Sequence, residues 1–92
     1  APNNGAITDS LGWALFLAGR REEALPLLEQ AAQAEPADTE INEHLGDAYY
    51  TIGRRSEARF AWRAALVQAE GADAERLRRK IDIGLTPELA AR

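Results

Sequence analysis

The chain has 92 residues, 15 acidic and 11 basic side chains, and a formal net charge of −4. That length suits one small domain with a modest core, and 46% hydrophobic with 28% charged residues excludes a disordered chain. Cysteine is absent, which excludes disulfides, thiolate catalysis and zinc–thiolate sites, and no apolar run is long enough to span a membrane.

Taken in chain order, the apolar spacing predicts five helices. The first covers about 6–18 and stops at Gly19, and the second covers about 22–34 with Pro26 near its first turn. Asp38 is placed to cap a third helix over about 39–52, which ends at Gly53. A fourth follows over about 56–69. After Gly71, Asp73 is expected to cap a fifth over about 74–83, stopped by Gly84. Thr86 and Pro87 then suit one last helical turn.

These helices come in two copies. Shifting the chain by 34 residues aligns Ile7/Ile41, Leu11/Leu45, Gly12/Gly46, Ala14/Ala48 and Gly19/Gly53. The same shift aligns Arg20/Arg54, Arg21/Arg55, Glu23/Glu57, Ala24/Ala58 and Ala31/Ala65. Chance would supply about two or three such identities at this composition. Gly12 and Gly46 sit at one place in both copies, inside helices where glycine costs about 1 kcal/mol against alanine. A close approach of the paired helix explains that cost.

On these residues the chain resembles the tetratricopeptide repeat family, whose pattern is Leu-Gly, Tyr, Ala, an aromatic, Ala and Pro at fixed offsets. The first copy reads Leu11-Gly12, Leu15, Ala24, Leu28, Ala31, Pro36, and the second Leu45-Gly46, Tyr49, Ala58, Trp62, Ala65. Glu70 stands in place of the second proline, and Thr8 and Asn42 in place of the motif's tryptophan. The resemblance implies an all-α stack of antiparallel helix hairpins. It would comprise two repeats (5–38 and 39–72) and a capping helix with a tail (73–92) in one domain.

Apolar spacing places Leu11, Leu15 and Ala18 against Ala24, Leu28 and Ala31, and Leu45, Tyr49 and Ile52 against Ala58, Trp62 and Ala65. The capping helix spends Leu77 and Ile81 on the fourth helix and turns the charges of "ERLRRK" to water. Pro2 lies in register with Pro36, and methionine is absent even at position 1. Together they suggest the last repeats of a longer array, with Ile7, Leu11 and Ala14 of the first helix left unpartnered.

No catalytic constellation is present, so the chain reads as no enzyme, with no cofactor and no metal. Glu43, His44 and Asp47 share one helix, but a lone histidine lacks further ligands. The family's groove positions map onto Ala6, Asp9, Ser10, Trp13, Phe16 and Leu17, then Glu40, Glu43, His44, Asp47, Tyr50 and Thr51. The expected binding face is Asp9, Trp13, Phe16, Glu40, Glu43, His44, Asp47 and Tyr50. Its acids and aromatics suit a protein or peptide bearing basic and apolar side chains. Arg55, Arg59 and Arg63 form a basic stripe, a possible second surface for an acidic partner. Residues 1–53 hold nine acids and two arginines (2 − 9 = −7), and residues 54–92 nine bases and six acids (9 − 6 = +3). This split argues against nucleic acid as a partner. The competing reading is a structural cap of a longer array, or a self-association module.

Overall fold

The computed structural model describes residues 4–90. Five helices follow one another: α1 (Gly5–Leu17), α2 (Arg21–Ala34), α3 (Thr39–Thr51), α4 (Arg55–Leu66) and α5 (Gly71–Ile83). There is no strand among the described residues. α1 packs along α2 and α3 along α4 as two antiparallel hairpins. α2 then lies against α3, α4 against α5, and α1 reaches α3. The architecture is the all-α hairpin stack expected from the repeat.

The hairpin turns are built alike. In each, a glycine with positive φ (Gly19 at 85°, Gly53 at 89°) follows the first helix. Gly19 N–H donates to Phe16 and Arg20 N–H to Leu15; Gly53 and Arg54 donate likewise to Tyr50 and Tyr49. The last carbonyls of α1 and α3 are thereby satisfied. α3 begins as expected, with the Asp38 carboxylate accepting from Ile41 N–H. Asn42, at the motif's tryptophan position, donates to the carbonyls of Pro36 and Asp38 and so ties down the turn between the repeats. α2 runs unbroken through Pro26.

The core has two parts, one between the hairpins and one where α5 packs on the second hairpin. Trp13, Leu28, Leu45, Ala48 and Ala61 form one cluster, and Ala58, Trp62, Ala65 and Leu77 a second. Fully buried alanines 24, 31, 58 and 65, seven apart on α2 and α4, let the helices approach closely. Gly46 faces the Trp62 indole, where a Cβ would collide with its Cδ1 and Nε1.

Several expectations need correction. Leu11, Ala18 and Ile52 are exposed rather than in the core, because among the described residues no helix covers the outer side of α1 and residues 18 and 52 already belong to the turns. α5 starts at Gly71, earlier than expected, and Glu70 takes the cap position. Asp73, in the first turn, instead pairs with Arg76 three residues on. α4 ends at Leu66 instead of near 69. After Gly84, residues 87–89 form a single turn that buries Leu89. Pro2 lies outside the described residues.

Candidate functional site

α3 is the centre of the molecule: every residue from Ile41 to Ala48 is buried. A helix closed in on all sides must still carry the polar residues that its sequence gives it, so each needs a partner. Two charge clusters, one on each side, supply them.

The first cluster joins α3 to α5. Glu43 and Asp47 are four apart, and so are Arg76 and Lys80, which puts each pair on one helix face. Arg76 donates from Nε and Nη2 to the two oxygens of Glu43, both at 2.7 Å. Lys80 Nζ donates to Glu43 at 2.7 Å and to both Asp47 oxygens at 3.0 and 3.1 Å. Trp62 Nε1–H donates to Asp47 at 2.9 Å. Burial pushes the Glu43 carboxyl up, but the hydrogen bonds from Arg76 and Lys80 outweigh it and hold the group below the usual carboxylate range. Asp47 goes the other way. Burial raises it, and Lys80 and Trp62 offset that only in part.

The second cluster joins α3 to α1. His44 Nδ1 lies 3.0 Å from both oxygens of Asp9. The imidazole stacks on Trp13 at 4.0 Å between centroids, and Trp13 stacks in turn on Phe16 at 4.9 Å. The Trp13 indole N–H is buried without an acceptor among the described residues. Glu40, one turn before His44 on α3, brings its exposed carboxylate to the same place. Ligand atoms of Asp9, Glu40 and His44 all lie within 4.8 Å of one another.

Of the expected face, then, Asp9, Trp13, Glu43, His44 and Asp47 are buried, Phe16 and Tyr50 are half-buried, and Glu40 is exposed. Ala6, Ser10, Leu17 and Thr51 are exposed beside them. The one-helix trio of Glu43, His44 and Asp47 does not converge, since His44 turns to α1 while its neighbours turn to α5. The basic stripe is divided as well. The Arg55 guanidinium lies over the Tyr50 ring at 4.9 Å, Arg59 donates to the Ile81 carbonyl at 2.8 Å, and Arg63 remains exposed.

The family model for the tetratricopeptide repeat matches residues 15–81, more than half of the chain. The chain belongs to the tetratricopeptide repeat family. Neither the comparison with curated proteins nor that with solved structures gave a match. As a tetratricopeptide repeat protein it is of the protein-interaction scaffold type. No helix among the described residues is long and apolar enough to cross a membrane.

Within this repeat protein, the residues that sequence reading missed are Arg76 and Lys80. "ERLRRK" reads as a solvated end face, yet Lys80 is fully buried. A signal was present in the matched spacing: two acids four apart on one helix and two cations four apart on another.

Proposed function

We propose that the exposed strip of α1 and α3 binds a peptide or partner protein. The observation that carries this reading is the division of labour along the two helices. Asp9, Glu43, His44 and Asp47 spend their polar groups inside, and Trp13 stacks on His44, so the five fix the helices relative to each other. Leu17 and the half-buried Phe16 and Tyr50 are left at the surface near the C-terminal ends of their helices, with Glu40 exposed near the start of α3. In this reading the buried five are positioning residues, and Phe16, Leu17, Glu40 and Tyr50 touch the partner. A preformed apolar strip lowers the ordering cost of binding, and the acidic first half favours basic side chains next to an apolar anchor. The chain has no catalytic role in this reading.

A peptide library selected on the wild type and re-tested on Leu17→Asp and Phe16→Ala decides the matter. Enriched basic–apolar sequences that lose binding to both variants, with helicity intact, support the strip. Enrichment that survives both changes overturns it.

A second reading rests on the outer side of α1. Ile7 and Leu11 are 68% and 55% exposed, whereas Ile41 and Leu45, identical and 34 residues on, are 2% and 8% exposed beneath α2. We propose that this face seats another helix of α2's type, either in a longer array or from a second copy. Sedimentation shows which. A concentration-dependent mass lost in Leu11→Glu identifies the second copy, and a strict monomer at high concentration counts against it.

A further inference from the structure

We propose that Asp9, Glu40 and His44 form a binding site for a divalent transition cation of the zinc type. The Asp9 side chain is 5% exposed, and its polar partner among the described residues is a single imidazole nitrogen shared between both oxygens. Glu43 occupies the same register position one repeat later and is equally buried, but it receives a bidentate guanidinium and an ammonium. The junction of α3 with α5 thus brings two full cations to its carboxylates. The junction of α1 with α3 brings one imidazole ring. A buried carboxylate with most of its acceptor capacity unused is costly unless positive charge is supplied.

The neighbouring donors suit a metal ion as that charge. An imidazole nitrogen and two carboxylates are a set that zinc and the adjacent divalent metals accept. With metal–ligand bonds of about 2.1 Å, tetrahedral ligands stand about 3.4 Å apart. The present separations run from 3.0 Å between His44 and Asp9 to at most 4.8 Å across the group, so small side-chain shifts close it. Two of the three side chains are held in place already: Asp9 by burial, and His44 by its stack on Trp13. Glu40, exposed on α3, closes the site from the solvent side and leaves the fourth position to water or to a partner's side chain. The charge of −7 on residues 1–53 favours a cation here. The site shares Glu40 with the proposed binding strip but does not depend on that reading.

The chain has one histidine and no cysteine, which makes the test direct. The untagged protein is titrated with zinc chloride, with nickel chloride as a second probe. Calorimetry gives stoichiometry, and the His44 ring nitrogens and the tryptophan fluorescence are followed in parallel. The expected result is saturable uptake of one ion per chain, with a shift of the His44 nitrogen resonances and a change in the tryptophan emission through Trp13, which stacks on His44. Glu40→Gln, at an exposed position, keeps the thermal melt of the apo protein but weakens binding by more than about tenfold, since even outer-shell partners of a metal alter affinity by that factor. His44→Gln abolishes binding. Absence of saturable uptake, or uptake that leaves the His44 resonances and the Glu40→Gln affinity unchanged, overturns the proposal. In either case the Asp9–His44 contact is a packing interaction alone.

Discussion

Gly46 and Trp62 occupy space that only one of them can fill: the indole lies where a Cβ on residue 46 would stand. The same indole donates to Asp47, next in sequence to Gly46, so Trp62 cannot swing aside without breaking a buried hydrogen bond. Gly46→Ala is therefore expected to destabilise the protein by about 1–3 kcal/mol, despite alanine's better helix propensity. At Gly12 the neighbours are the side chains of Leu27 and Leu28 at 3.1 Å, which can give slightly. Gly12→Ala should cost clearly less. Urea melts of both variants check the order, and a raised stability in Gly46→Ala contradicts it.

Leu11 and Leu45 test what position in the stack does to one residue. Leu45→Ala empties a site between α2, α3 and α4 and should cost about 2–4 kcal/mol. Leu11→Ala removes an exposed side chain and should change stability by no more than about 0.5 kcal/mol in the isolated protein. Equal losses would show that the face of α1 is covered in solution.

Lys80→Met removes the ammonium between Glu43 and Asp47. Glu43 keeps Arg76, but Asp47 loses its principal compensation in a buried place. A loss of about 3 kcal/mol is expected. Asp47→Asn added to Lys80→Met should restore part of it, because the two groups are coupled. A double-mutant cycle with no coupling energy would dissociate α5's docking from this pair.

Acid weakens the same junction. Glu43 is held below its ordinary value of 4.5, so its contribution is complete above that pH and is lost as the pH falls through the folded value. Asp47 is raised above 3.8, takes up its proton earlier in the folded state, and so partly opposes the loss. The stability advantage of wild type over Glu43→Gln should accordingly shrink on going from about pH 7 to about pH 3.5. Denaturant titrations at both values measure it, and a constant difference would place the acid sensitivity elsewhere.

The five helices and their pairing into hairpins were legible in the residues alone, apart from the end of α4 and the start of α5. Glycines at helix ends and the Asp38 cap are local signals that act within a few residues, and the period of 34 is read directly by shifting the chain against itself. Even the cost of Gly46 was legible, because its twin at Gly12 marked it as architectural. Which polar residues are buried follows from how the helices pack, not from any one helix. Glu43, His44 and Asp47 look like a surface on an isolated amphipathic helix, where three side chains within one turn or so face outward. Once α5 closes on α3, Arg76 and Lys80 neutralise two of them. His44 turns toward Asp9, 35 residues away, and meets Glu40 there. The exposure of Leu11 and the burial of Leu45 have the same origin. Identical residues at identical register differ because a neighbouring helix lies over one and not over the other, and no local pattern encodes that.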